Sequence, residues 1–515
     1  MRVCIRNKYY YLFELITNTL NIVYLVKCYN VNYSMASLKK NVIYSSLLTT
    51  ANYIFPLLTY PYVSRVLGVD KIGVCNFVDS IINYFVLFSM LGINIMGIRE
   101  IASCKDNREE LNKRFSSLFI LNTISTSIVL ILLIIAIETV PKLYEHRDIM
   151  YIGVLKLIFS YLLIEWLYKG LENFKFITTR TIILKCIYVL AVFLFVKDVD
   201  DYKIYYFIMS IMIVINAIIN IVYSTKFVSL KLKKNCIKPF LRSFFVLGFY
   251  MILTSMYISF NVTYLGFVSG ETEVGYYTTA TKLHGIILSI FTAFTGVMLP
   301  RMSSLVSENN ISEFKLMLNK SVNILFSFSI PLVYFCIIFA DKIILLISGE
   351  GYEGAIIPMQ IVIPLILIIG YEQILVIQIL MPLKKDKYIL INSIIGASIG
   401  LLSNILFVGT YKSVGSSLVW LISELSVFIS AQYFVWKSVK INFPFIIFFK
   451  AIIYNLPLGI ILYIIYSFNG ISPILMLFYS ILVLIFYSLF LQYYIIKNPI
   501  LINLVTVIFN RLHKD

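Results

Sequence analysis

Residues 41–64, NVIYSSLLTTANYIFPLLTYPYVS, run for 24 positions without an Asp, Glu, Lys or Arg. A hydrocarbon core of about 30 Å takes roughly 20 apolar residues of helix to cross, so the stretch spells one transmembrane helix, with Lys39 and Lys40 before it and Arg65 after it. Working outward, apolar runs of similar length alternate with short polar turns. They predict further helices at 76–98, 116–140, 149–168, 177–196, 204–225, 242–267, 278–300, 321–347, 356–381, 388–409, 414–436, 444–467 and 473–496. The fold class expected is an all-α membrane protein of about fourteen spans. Composition agrees, since 60% of the 515 residues are hydrophobic and 13% charged, against about 25% charged in soluble domains. With a mean hydropathy of +0.89, no water-soluble fold hides that much apolar surface.

The net charge of +17 would raise nucleic acid as a partner in a soluble chain; here its distribution gives topology instead. With Lys39 and Lys40 inside, the inner loops carry about 22 Lys and Arg and the outer loops about 8, the positive-inside asymmetry. Both termini are therefore expected in the cytoplasm, and no nucleic-acid partner is expected. The basic clusters Lys231, Lys233, Lys234 and Lys238, and Lys384, Lys385 and Lys387, are read as topology signals and contacts to anionic membrane lipid.

Residues 1–34 lack a compact signal-peptide core, and Met35, followed by Lys39 and Lys40, is expected to be the true start. The seven cysteines sit singly, with no CxxC and no His at ligand spacing, and are read as small buried hydrophobes such as Cys186 and Cys336 rather than a metal site. Only His146, His284 and His513 occur, and no HExxH, GxSxG or P-loop pattern is present, so no enzyme is expected. Gly349-x-Gly351-x-x-Gly354 fits GxGxxG but lies between membrane helices, without the strand that makes the pattern a dinucleotide site. No cofactor is expected beyond H+ or Na+ as a coupling ion.

Sliding the chain on itself by 202 residues aligns Val66 with Val268, Gly68 with Gly270, Gly73 with Gly275, Met96 with Met298 and Arg99 with Arg301. The offset carries the first helix onto the seventh and the second onto the eighth. Six helices per copy is an even number, so the copies face the same way, as in parallel-repeat transporters that bind substrate between two lobes and rock between access states. The domains expected are an extension at 1–34, a lobe of six helices at 35–234, a second at 235–440, and two appended helices with a tail at 441–515.

The stretch from Tyr53 through Pro56, Pro61 and Arg65 to Gly68 resembles the first helix of Wzx-type O-antigen and polysaccharide flippases. Gly73 to Ile81, with Leu91-Gly92-Ile93 and Gly97-Ile98-Arg99-Glu100-Ile101, is similar to that family's second helix. Ala280-Thr281-Lys282 and Leu299-Pro300-Arg301-Met302-Ser303 are similar to its eighth, and Gly349 to Ala355 to the turn before its tenth. The resemblance spans residues 36–440. It implies the fourteen-helix, two-lobed fold shared with multidrug extruders and lipid II flippases, in a bacterial inner membrane. It also implies outward transfer of undecaprenyl-pyrophosphate-linked oligosaccharide repeat units for O-antigen, capsule or exopolysaccharide synthesis, with a polysaccharide polymerase and a chain-length regulator as partners.

Ionisable residues at membrane depth cost ~2.5–3.5 kcal/mol on insertion scales, and so mark wet cavities or partners. Asp79 and Lys282 lie at repeat-related depths and are expected to face a common cleft. Arg65, Lys156 and Lys185 extend a cationic lining suited to pyrophosphate, whose hydration shell only cations and donors replace. Lys156 and Lys185 have snorkelling or an internal ion pair as the alternative. Arg99 and Arg301 mark the repeat-related inner mouths. Glu372 and Glu424 are the deep carboxyls and the ion-coupling candidates; His284 is read as a satisfied packing residue. Pro56, Pro61, Pro331, Pro358 and Pro364 are expected bends, with the first helix as the moving part. The rival readings are a multidrug or metabolite cation antiporter, which would favour an acidic cavity, and a membrane polysaccharide polymerase, which would bring a large outer loop.

Overall fold

A computed structural model describes residues 38–230, 237–468, 470 and 472–495. The extension at 1–34, Met35, the Lys231, Lys233 and Lys234 cluster and the tail beyond 495 lie outside the described residues. Helices account for the described chain and no strand occurs within it, so the all-α expectation is borne out.

In the first half, α1 (Leu38–Met90) is followed by α2 (Ile93–Ala102), α3 (Arg108–Thr139), α4 (Pro141–Glu145), α5 (Arg147–Ser160), α6 (Glu165–Gly170), α7 (Phe174–Phe195) and α8 (Tyr202–Ser224). The second half holds α9 (Lys238–Ile258), α10 (Phe260–Ser269), α11 (Glu271–Ser307), α12 (Ile311–Ile338), α13 (Ala340–Ser348), α14 (Ile356–Val362) and α15 (Leu365–Gln373). A π-helical turn at Ile374–Leu380 then leads to α16 (Asp386–Val439), α17 (Phe445–Ser467) and α18 (Pro473–Phe490).

Twelve helical segments among the described residues are long and apolar enough to cross a membrane, where the sequence predicts about fourteen. The difference of two falls on α1 and α16, each of which carries a break in helical backbone where the sequence places a turn between two spans. In α1 the break is Gly68, at φ 71° and ψ 170°, and in α16 it is Lys412, at φ 51° and ψ −124°. Gly270, the repeat partner of Gly68, separates α10 from α11 at φ 90° and ψ 175°. A residue with a Cβ is rarely found there, so the two copies turn the chain by the same device.

Polar loops supply the caps that the first-turn amides need. Asn107 accepts from the amides of Glu109 and Glu110 at the start of α3, Asn173 from Phe176 at α7, and Asn310 from Glu313 at α12. The bodies of the helices are apolar all round, as a lipid environment requires. On α3, Ile124, Ile128, Ile131, Leu132 and Ile135 are exposed, and on α17 Ile446, Ile453 and Ile460 repeat every seven residues with Ile446 72% exposed. Such unpartnered stripes face hydrocarbon.

The contacts divide the described chain into two compact units on either side of Ser255 and Met256; the sequence reading places the lobe boundary at 234. The first part of α9 packs on the first unit, where Phe244 joins a core of Ile93, Met96, Phe115, Trp166 and Tyr168. Small residues set the close approaches: a Cβ on Gly97 would come within 2.7 Å of the Trp166 ring, and one on Gly370 within 2.5 Å of Leu325. Cys336 is buried as expected, but Cys186 is exposed on α7.

Candidate functional site

In the first unit α1, α5 and α8 converge on Asp79. Lys156 Nζ lies 2.7 Å from Asp79 Oδ1, Tyr206 donates its hydroxyl to the same oxygen at 3.3 Å, and Asn83 Nδ2 donates to Oδ2 at 2.9 Å. Both charged side chains are largely buried, at 15% and 21% exposure. Of the two alternatives weighed for Lys156, the structure shows the internal ion pair. The pair brings α5 to α1 across 77 residues of sequence.

Lys185 differs. Its side chain is half-buried on α7, its ammonium stands 5.9 Å from the centre of the Phe55 ring of α1, and among the described residues it forms no ion pair. A partly desolvated cation over an aromatic face, without a carboxylate beside it, is an arrangement that recruits an anion. Arg65 is exposed at the end of the first segment of α1, three residues before Gly68. Arg99 is exposed on α2, and Arg301 pairs with Glu313 at 2.5 Å.

A second network in this unit escaped the sequence reading. The chain between α5 and α6 leaves the α-helix through a tight turn at Tyr161–Leu163 and places Ile164 at φ 36°, in the left-handed region. Loose backbone at membrane depth needs partners, and here it has them. Asn220 of α8 donates its amide to the Leu163 carbonyl, and Arg180 of α7, 5% exposed, donates to Asn220 Oδ1 and, at 2.8 Å, to Glu165 Oε1. Lys169 adds a second cation 3.4 Å from Glu165 Oε2. Arg180 was visible as a charge inside a predicted span, but its spacing to Glu165 and Asn220 carries no pattern.

In the second unit Lys282 is half-buried on α11, while all of the contacts described above for Asp79 lie within the first unit. The deep carboxyls Glu372 and Glu424 sit on α15 and α16, two helices that pack against each other, and Glu424 is buried. Trp420 donates its indole N–H to Glu424 Oε1 at 3.0 Å, and the buried His284 ring sits edge-on to Trp420 at 4.8 Å. His284 is a packing residue, as expected, but not a satisfied one, since neither ring nitrogen has a partner. Next to Glu372, Gln373 donates to Thr292 at 3.0 Å and accepts from Thr295 at 3.3 Å. The chain then enters the π turn, a departure from α geometry that is frequent at functional sites. No cluster of three His, Cys, Asp or Glu fit for a metal exists among the described residues.

With this geometry in view, residues 38–306 match the family described as polysaccharide biosynthesis protein. The chain belongs to that family. Among curated relatives, a protein of Escherichia coli (strain K12) named "Putative O-antigen transporter" is 26% identical over 403 residues, covering 76% of this chain and 95% of its own length. A Shigella dysenteriae protein of the same name is 27% identical over 293 residues, covering 54% of this chain and 71% of its own. Among solved structures, the lipid II flippase MurJ in an inward closed conformation superposes with a TM-score of 0.70 at 16% identity, covering 90% of this chain and all of MurJ. An inward-facing multidrug resistance transporter of the MATE family reaches 0.57 at 12% identity, covering 79% and 97%. At such identities the structural likeness speaks for the fold, which is thus the two-repeat fold that the sequence resemblance to polysaccharide flippases implied. The chain is a multi-pass membrane protein of a transporter family.

Proposed function

We propose that the protein flips a lipid-linked oligosaccharide, carried on a polyprenyl pyrophosphate, from the cytoplasmic to the outer leaflet of a bacterial inner membrane for O-antigen, capsule or exopolysaccharide synthesis. Family membership and relatives named as O-antigen transporters support the substrate class. The observation that carries the site is the unpaired, half-buried ammonium of Lys185 beside Phe55. Lys156, held by Asp79, positions α5 against α1, while Lys185, which forms no ion pair among the described residues, is the cation that meets a phosphate oxygen in this reading; Arg65 and Lys282 are the further members of the lining.

Both termini lie in the cytoplasm in this reading, following the charge asymmetry. A pyrophosphate with about two negative charges gains ~4.6 kcal/mol per 100 mV on leaving a negative interior, so the membrane potential assists export. Glu372 and Glu424 form the ion-coupling site, with H+ and Na+ as the two candidate ions. A polymerase and a chain-length regulator receive the product on the outer face.

The test is flipping of a fluorescent polyprenyl-pyrophosphate disaccharide in proteoliposomes. Lys185→Ala is expected to slow it by about tenfold to a hundredfold, the weight of one charge-assisted hydrogen bond of ~1.5–3 kcal/mol. Lys185→Arg is expected to restore most of the rate. Unchanged flipping by Lys185→Ala would remove the anion site from this lysine.

A further inference from the structure

The chain from Leu425 to Lys514 holds no Asp or Glu, while Lys437, Lys440, Lys450, Lys497, Arg511 and Lys514 are spread through it. The described part of this stretch is the second half of α16 with α17 and α18, and where α16 gives way to α17 it forms a groove of about 870 Å³, a volume within the range of ligand pockets. One wall is Ile429, Tyr433 and Trp436, which recur at intervals of four and three and so share a face of α16; the other is Phe445 and Ile446 on the first turn of α17. All five are exposed. Phe443 backs the groove, its ring 5.1 Å from that of the buried Tyr371. Gln432 donates to the Ile441 carbonyl at 2.9 Å and accepts from the Tyr371 hydroxyl at 3.1 Å, which ties the connection between the two helices back to the bundle and keeps the walls apart.

One end of this apolar trough is cationic. Lys440 ends α16 in the left-handed region, at φ 56° and ψ 34°, and its ammonium stands 4.2 Å from the centre of the Trp436 ring. Lys437 is exposed on the last turn of α16, and the exposed Asn442 lines the groove. Among the described residues neither lysine forms an ion pair. The start of α16 reaches the same end, since the Tyr388 ring stacks on Phe434 at 4.6 Å, and it brings Lys384, Lys385 and Lys387, with Asp386 the acid among them.

Hydrocarbon covers any lipid-facing helix, so the apolar walls alone select nothing; the cationic end does. A zwitterionic headgroup carries its own ammonium, which Lys437 and Lys440 repel. A headgroup of net negative charge offers phosphate oxygens to both lysines and to the Asn442 amide. None of Arg65, Lys185 and Lys282, the cations assigned above to the transported pyrophosphate, lines this groove. We propose that the groove between α16 and α17 is a binding site for an anionic glycerophospholipid of the bilayer, such as phosphatidylglycerol, with an acyl chain along Ile429, Tyr433 and Phe445 and the phosphate on Lys437 and Lys440. On the orientation proposed above, that lipid comes from the cytoplasmic leaflet.

Photolabelling of the purified full chain in detergent tests the site. A phosphatidylglycerol with a diazirine in one acyl chain is expected to label Tyr433, Trp436 or Phe445, read by mass spectrometry of the digest. The double variant Lys437→Gln with Lys440→Asn keeps the backbone, because Asn tolerates the left-handed region. It is expected to lose labelling by about fivefold for each lysine removed, the weight of one basic side chain near an anionic surface. Phosphatidylethanolamine with the same diazirine is expected to label wild type and variant equally and weakly. Equal labelling of the wild type by the two lipids, or labelling by phosphatidylglycerol that the double variant leaves unchanged, would overturn the anionic site. Excess unlabelled phosphatidylglycerol is expected to remove the label and excess undecaprenyl pyrophosphate to leave it. Removal by the polyprenyl lipid would give the groove to the transported substrate and overturn the proposal. None of these readouts involves transport, so the flippase reading stands or falls separately.

Discussion

The two units interrupt corresponding helices at corresponding places and fill the gaps with opposite chemistry. The turn at Tyr161–Leu163 in the first unit and the break at Ile363 and Pro364 between α14 and α15 in the second begin 202 residues apart, the same offset that relates Gly68 to Gly270. In the first unit the nearby charges are cross-matched: Lys156 with Asp79, and Arg180 with Glu165 and Asn220. In the second, Glu424 accepts from the indole of Trp420, and neither it nor Glu372 forms an ion pair among the described residues. A duplicated scaffold thus keeps its backbone joints while its polar residues diverge, toward ion pairs in the first copy and toward carboxyls without a cation partner in the second.

The largest expected effect tests that contrast directly. Arg180→Met leaves Asn220 Oδ1 without its buried donor and Glu165 with Lys169 as its remaining cation, and losing these charge-assisted hydrogen bonds is expected to cost ~1.5–3 kcal/mol. Glu372→Gln keeps the side-chain shape and removes no ion pair found among the described residues, and is expected to cost under ~1 kcal/mol. Thermal unfolding of both variants in detergent, followed by loss of the monodisperse peak, gives the comparison. Equal losses would mean that the second unit, too, holds its acids as a fixed ionic lock.

A smaller effect concerns the glycine joints. Around both Gly68 and Gly270 nothing lies within 4 Å of an added Cβ, so substitution there tests backbone conformation alone. Gly68→Ala and Gly270→Ala are each expected to cost ~1–3 kcal/mol, and by similar amounts, measured as paired falls in unfolding temperature. A loss confined to one of them would show that the repeat shares its sequence but not its mechanics.

These joints also mark what a sequence discloses. Spans were legible because length and apolarity are local properties, and Gly68 and Gly270 because a glycine at a span end reports the backbone it permits. Of the prolines, Pro56 and Pro61 lie inside a helical run that continues from Leu38 to Gly68, Pro331 lies inside α12, and Pro364 sits at the break between α14 and α15. The break at Ile164 had no local signal at all, since a β-branched residue is the last to choose φ 36°. It is imposed from outside by Asn220 and by Arg180 through Glu165. The candidate charges were findable for a similar reason, as any ion in an apolar run stands out, but their partners were not. Lys156 meets Asp79 across 77 residues and Arg180 meets Asn220 across 40, distances over which only the fold decides.

The smallest effect, and the one with an unexpected sign, belongs to Lys412. It makes the break in α16 without being glycine, at φ 51° and ψ −124°, a conformation that costs a side-chain-bearing residue ~1–3 kcal/mol. Against that stands one ion pair, Lys412 Nζ to Glu273 Oε1 at 3.7 Å, with the lysine 60% exposed, which is worth ~0.2–1 kcal/mol. Glu273 keeps a second anchor whatever happens to the lysine, because the Ser413 amide donates to its Oε2 at 3.2 Å. Lys412→Gly is therefore expected to leave the unfolding temperature unchanged or to raise it slightly, after the added freedom of the unfolded glycine takes back ~0.5–1 kcal/mol. Lys412→Ala, which loses the pair and keeps the strain, is expected to lower it. If glycine destabilised more than alanine, the joint in α16 would owe its shape to the lysine side chain, and the second unit would have replaced a backbone device of the first with an electrostatic one.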